Sequence, residues 1–306
     1  MDTQRLILLF IFGFSVLMLW EAWDKEHRPK PAATAPAAVT QQAVPTPAPA
    51  APGSAKPPPS AVPAADAPAK GETIRVTTDL LVADIDTLGG TLKRLELTRH
   101  KDSTDPTKDL VLLGPEHRYE AQSGLTGDTG PNHRSVWRAL PGERSIAPDR
   151  DTVEVRLVAQ GKDGLEVQKV YTFRRDSYVI DISLEIRNPG AAAVGTYGYF
   201  QLTHDGRPDI STNSVAATFG AQSFTGFAVF TSERAYEKVH SSDLDKGKAD
   251  HVKRATNGWL AFVQHYFVSA WLPKDGLERD YLVEKRQDGT YAARVLIPTN
   301  VAPGST

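Results

Sequence analysis

Residues 71–306 read as a mainly β fold, a sandwich or barrel, and three observations carry that expectation. Apolar and polar residues alternate with a period of two in several runs, as in half-buried strands. Gly, Pro, Asn and Asp clusters separate those runs at short intervals. The chain of 306 residues is 40% hydrophobic and has no cysteine, so an apolar core rather than a disulfide framework must hold it together.

The individual elements follow in chain order. Gly89-Gly90 marks a turn between two apolar runs. Over Thr152 to Ala159, Val153, Val155 and Leu157 fall on one face and Glu154 and Arg156 on the other. Gly161-Lys162-Asp163-Gly164 is a turn and Leu165 to Phe173 returns, which makes a hairpin. Tyr178, Ile180, Ile182, Leu184 and Ile186 alternate with Asp181, Ser183, Glu185 and Arg187, and Asn188-Pro189-Gly190 closes that strand. A short helix is expected over residues 232–239, where Glu233, Arg234, Glu237 and Lys238 offer pairs at helical spacing. Trp259, Phe262, Val263, Tyr266, Phe267, Ala270 and Trp271 also recur at helical spacing. The segment reads equally as one strand buried on both faces, and its aromatic and β-branched content favours the strand. Gln264 and His265 at its centre make it too polar for a membrane span. Asp288-Gly289 marks a further turn.

Two different regions precede this one. Residues 6–20, LILLFIFGFSVLMLW, carry no charge. As a helix these residues span ~22 Å, and extending to Trp23 gives ~27 Å against a bilayer core of ~30 Å. Trp20 and Trp23 stand where an interfacial aromatic belt belongs, and Arg5 marks the near side as cytoplasmic. A signal peptide would need small residues at a cleavage site, and Trp20-Glu21-Ala22-Trp23-Asp24 is bulky and charged. The expectation is therefore an uncleaved anchor over residues 1–26, with a removed signal peptide as the alternative. Residues 27–70 are rich in Pro and Ala and hold about half of the 22 prolines. Such a segment cannot bury enough apolar surface to fold, and the expectation is a disordered, semi-rigid spacer.

Several chemistries are excluded by composition. A net charge of −2 without a Lys/Arg stripe gives no reason to expect nucleic acid. Without cysteine there are no zinc–thiolate sites and no thiol nucleophile. The eight histidines include no H-E-x-x-H, and there is no G-x-S-x-G elbow, no P-loop and no dinucleotide fingerprint before a helix. The expectation is no enzyme, no catalytic or metal residue and no cofactor. The weak local candidates have bland readings. His204-Asp205-Gly206-Arg207 sets a base beside a carboxylate, and reads as a polar turn before Pro208. His265 reads as a hydrogen-bonded histidine in an aromatic run. Asp79, Asp84 and Asp86 could suggest calcium, and read as a solvent-facing strand edge. The aromatics from Trp259 to Trp271 could line a carbohydrate or peptide cleft, and read as core packing.

Longer strings are more specific. Met1-Asp2-Thr3-Gln4-Arg5 runs into the apolar segment, which ends in Trp20-Glu21-Ala22-Trp23. Tyr119 to Gly127 reads YEAQSGLTG, and Gly258 to Pro273 carries G-W-x-A-x-x-Q-x-Y-F-x-x-A-W-x-P. In this order and spacing the strings resemble the proteobacterial YidC branch of the YidC/Oxa/Alb insertase family, across the whole chain with the spacer as its variable part. The resemblance implies a β-supersandwich of the galactose-mutarotase-like kind with a few short helices over residues 71–306. It implies an uncleaved first transmembrane helix in the bacterial inner membrane, its N-terminus cytoplasmic and residues after about 24 periplasmic. The implied activity is assistance to integral membrane proteins during insertion and folding, and the implied partners are Sec translocon subunits and nascent inner-membrane proteins. The family's insertion groove lies in five further transmembrane helices, and no position here matches it. The chain is therefore expected to be an N-terminal portion that supplies anchor and periplasmic module. A carbohydrate-binding module or a passive tethered scaffold are the alternatives.

Overall fold

The computed structural model describes residues 71–207, 224–264 and 266–306. The expectations for the anchor, the spacer, Pro208 and His265 lie outside them. Among the described residues no helix is long and apolar enough to cross a membrane.

The chain runs through β1 (Thr73–Thr77), β2 (Leu81–Asp86), β3 (Thr91–Lys101), β4 (Asp109–Leu113) and β5 (Glu120–Leu125). It continues through β6 (Arg138–Ala139), β7 (Thr152–Gln160), β8 (Glu166–Arg174), β9 (Ile180–Arg187) and β10 (Val194–His204). After β11 (Gly226–Phe230) and β12 (Glu237–Val239) comes a one-turn helix, α1 (Ser241–Asp245). The last strands are β13 (Arg254–Ala255), β14 (Trp259–Gln264), β15 (Phe267–Trp271), β16 (Arg279–Lys285) and β17 (Tyr291–Val301). They form a nine-stranded sheet in the order β1-β2-β3-β5-β10-β17-β16-β13, with β4 beside β3, and two four-stranded sheets, β12-β11-β14-β15 and β6-β7-β8-β9.

Residues opposite one another in an antiparallel pair share a face, so register assigns the two faces of the large sheet. One face gathers Val76, Ala83 and Leu95, then Ala121, Leu202 and Ala293, and then Val283, all buried. Both small sheets pack on this side, since Val155 and Tyr171 of one and Phe227 and Phe262 of the other join the same apolar cluster. Fully burying one such side chain contributes ~1.5–3 kcal/mol. The opposite face is polar, with Arg75 paired to Asp84 at 2.7 Å and Gln201 in register with Gln122 and Arg294. An antiparallel sheet with one covered and one polar face is the expected consequence of this alternation. The mainly β expectation holds, as do the β7–β8 hairpin, β9 and the turns at Gly89-Gly90 and Asp288-Gly289.

Three local expectations are corrected. Residues 232–239 are not helical: Tyr236 adopts φ 51°, which a right-handed helix cannot contain, and Arg234 bonds Glu237 at 2.9 Å across a turn that leads into β12. The helix comes later, as α1. Trp259 to Trp271 is not one strand but a hairpin, with Gln264 opposite Phe267. Only β14 is covered on both sides; β15 is a sheet edge whose Val268 is 57% exposed. Finally, β2 is an inner strand. Asp84 is buried and bonded to Arg75, so a solvent-facing edge does not describe it.

Candidate functional site

The sequence singled out His204 and Asp205, and the fold gives them a setting. His204 ends β10 on the covered face of the large sheet, where its ring stacks on Phe262 of β14 with centroids 4.1 Å apart. The edge of Tyr119 meets the same ring at 5.3 Å. His117, in a short helical turn before β5, stacks parallel to His204 at 5.2 Å.

Hydrogen bonds fix the protonation of this cluster. The Gly206 backbone N–H donates to His204 Nδ1 at 2.9 Å, so the ring proton sits on Nε2, which is buried without a partner. Burial pushes the His204 pKa down to about 4, against the opposing charge of Asp205, and the ring is neutral at pH 7. Burial pushes Asp205 up, but hydrogen bonds from the Arg207 backbone and guanidinium and from His117 outweigh it and hold the carboxyl below its usual range. Arg207 Nε lies 2.6 Å from Asp205 and its Nη2 reaches the Glu116 carbonyl at 2.6 Å.

His117, His204 and Asp205 bring three potential ligand atoms within 4.8 Å of one another. The two imidazoles are parallel to within 6°, so their in-plane lone pairs run side by side instead of converging on one ion. The His204 Nδ1 lone pair and the Asp205 carboxylate are also already engaged. The cluster is a closed polar seam between two sheets. The three aspartates are not brought together either: Asp84 holds Arg75, Asp86 holds Lys93 at 2.6 Å, and Asp79 accepts the Asp176 N–H at 3.0 Å.

The aromatic segment divides. Phe262 is buried against His204, Tyr119 and Phe227. Trp259 stacks on Phe230 at 5.4 Å, with Gly258 at φ 96° allowing the Phe230 carbonyl to come within 1.9 Å of where a Cβ would stand. On the outer side, Tyr266, Val268 and Leu272 are 84%, 57% and 65% exposed, and no charged residue interrupts them from Tyr266 to Pro273. Two functional-looking groups escaped sequence reasoning. Lys169 is fully buried, and alternation with Val167 and Tyr171 was the available signal that it points inward. Arg294 is buried on the polar face and sits in an otherwise apolar run.

A large antiparallel sheet covered on one face by two smaller ones, with a sealed polar seam and an apolar outer edge, defines a β-supersandwich module. The chain belongs to the YidC family: residues 73–306 match the YidC periplasmic domain. Curated relatives agree. The protein named "Membrane protein insertase YidC" from Methylobacillus flagellatus is 42% identical over 313 residues, covering 100% of this chain and 55% of the relative. Its namesake from Aromatoleum aromaticum is also 42% identical, covering 100% and 56%. The chain thus spans about half the length of the curated relatives it matches. Among solved structures, it is similar to a galactose mutarotase related enzyme from Lactobacillus acidophilus, with 10% identity, a TM-score of 0.46 and coverage of 76% of this chain and 94% of the other. A galactose mutarotase-like protein from Lactobacillus casei gives 9% identity, a TM-score of 0.45 and coverage of 76% and 96%.

Proposed function

We propose that this chain supplies the membrane anchor and periplasmic module of a membrane protein insertase. The observation that carries this reading is the family match over residues 73–306, together with relatives named as insertases over the full span of the chain. In this proposal residues 1–26 anchor the protein in the inner membrane with the N-terminus cytoplasmic, residues 27–70 are the spacer, and residues 71–306 are the periplasmic domain. The partners proposed are Sec translocon subunits and nascent inner-membrane proteins, and no covalent step is assigned to the module. The outer side of the β14–β15 hairpin is the surface with the composition for such contacts, apolar and free of charge on an open sheet edge.

Photo-crosslinking in the full-length protein tests this. A crosslinker at Val268 or Leu272 should capture translocon subunits or the emerging substrate during insertion of a model membrane protein, and one at Arg156 should not. Capture of neither at any periplasmic position would leave the module a passive scaffold.

A further inference from the structure

The strand β15 ends its sheet and, among the described residues, pairs with β14 alone. Gln264 and Phe267 face each other with only two residues between them, and a pair closing so short a loop exchanges both of its backbone hydrogen bonds. Alternation along the ladder turns Ser269 and Trp271 toward β14 in the same way. The N–H and C=O groups of Val268 and Ala270 therefore point to the open edge, where no described strand receives them.

The open end of this hairpin is clamped. Arg279, at the start of β16, is fully buried. Its guanidinium donates to the carbonyl of Gly258, ahead of β14, at 3.2 Å and to that of Pro273, beyond β15, at 3.1 Å. The Thr256 carbonyl accepts from it at 3.0 Å. An edge held in extended form before anything binds lowers the ordering cost of adding a strand.

Side chains on both faces of β15 are apolar apart from one hydroxyl. Val268 and Ala270 lie on the outer face, with Leu272 just beyond the strand. On the inner face Phe267 and Trp271 are half-buried, Phe267 against the His100 ring at 5.4 Å and Trp271 against Phe200 at 5.3 Å. Ser269 between them is polar but uncharged. A strand laid beside β15 thus meets apolar side chains above and below. A half-solvated strand alternates apolar and polar residues, whereas a segment apolar on both faces is a continuous apolar run, the composition of a membrane span. From Tyr266 to Pro273 no charge is present to pair with a charged residue of the partner, and covering an unpaired charge is costly.

We infer that β15 binds an extended, uncharged apolar segment of a client membrane protein by strand addition, the client's main chain continuing the β12-β11-β14-β15 sheet. This rests on the reading of the chain as the periplasmic module of an insertase, and adds the form and chemistry of what is bound. Main-chain pairing suits clients of many sequences, because backbone N–H and C=O groups are common to all of them.

In the full-length protein a photo-crosslinker at Leu272 should capture the client while a model membrane protein is inserted. Ala270→Pro stays apolar and removes one outward N–H but no bond to β14, a change that edge strands tolerate. It should cut client capture about tenfold at an unchanged urea midpoint. A synthetic peptide of Leu, Val and Ala between terminal lysines should compete with the client. The same peptide with every backbone N–H methylated should not compete, and one with Glu at alternate positions should compete about tenfold less well. If Ala270→Pro does not fold, the peptides decide the matter. Client capture undiminished in folded Ala270→Pro, or competition indifferent to methylation, would overturn strand addition. Capture of translocon subunits alone, or of a second copy of this chain, would overturn it and leave the insertase reading standing. Capture of nothing from Leu272 would overturn it together with the assignment of partners to this edge.

Discussion

The two small sheets cover the same apolar face by different means. The β6–β9 sheet brings aliphatic side chains and one buried cation. Lys169 Nζ donates to the carbonyls of Gly89, Gly90 and Ser123 at 2.9, 3.0 and 2.9 Å and lies 4.4 Å from the Trp137 ring centre. Tyr171 donates to the Gly90 carbonyl at 2.6 Å. The β11–β15 sheet brings aromatic rings stacked on a neutral histidine. The first contact is directional and joins a turn of the large sheet to a strand of the small one. The second is dispersive, with one titratable ring at its centre. The contrast teaches that one core can be pinned by a charge on one side and by stacking on the other, and that the two sides respond to different perturbations.

The largest effect is expected at the lysine. Lys169→Met takes this donor from the Gly89 and Ser123 carbonyls, while Gly90 keeps Tyr171, and should cost about 2–4 kcal/mol, read as a lowered urea midpoint. Burial pushes the Lys169 pKa down to about 7 from the usual 10.5, while the carbonyl cage and the indole face favour the ammonium, so 7 is the lower limit. With a lowered folded-state pKa, the unfolded chain holds more protons above that value, and stability rises with pH toward 10.5. The protein should therefore be more stable at pH 9.5 than at pH 7, and Lys169→Met should lack that rise. Burial raises the buried phenols Tyr171 and Tyr199, which remain neutral at pH 9.5.

The stacked side has its own pH window. His204 falls to about 4 from 6.5 by burial, so the unfolded state takes up its proton first as pH falls. Stability is intact above pH 6.5 and is lost progressively down to pH 4, by about 3 kcal/mol for a shift of this size. His204→Phe keeps a ring against Phe262 and gives up the Gly206 N–H acceptor, costing about 1 kcal/mol at pH 7.5. Denaturation at pH 7.5 and 4.5 should show the variant's deficit shrinking in acid. Some acid sensitivity should remain, since His133 is also held low, at about 3.

What sequence could and could not reveal follows the same division. The alternation of Val153, Val155 and Leu157 is local, and it placed the β7–β8 hairpin correctly. Lys169 shares that alternation, but its carbonyl partners lie 80, 79 and 46 residues away, where no periodicity reaches. His204 and Asp205 were visible as neighbours, whereas His117 meets Asp205 across 88 residues. The charge pairs near Glu233 suggested a helix because spacing records which residues could meet, not that Tyr236 would take a positive φ. The hairpin at Trp259 was hidden because its reversal, between Gln264 and Phe267, carries neither Gly nor Pro.

The smallest stability effect is expected at the free edges, where the two sheets differ again. On β9 the outward residues are Asp181, Ser183 and Glu185, the kind of charged edge that discourages another strand from pairing. On β15 the outward residues are Val268 and Ala270, without charge. Val268 is more than half exposed, so Val268→Lys removes little packing and should change folding stability by no more than about 0.5 kcal/mol. It gives β15 the protection that β9 already has. If the uncharged edge is kept for a partner, the full-length variant should fold normally yet lose crosslinking from Leu272. Undiminished crosslinking at normal stability would make the difference between the two edges one of composition alone.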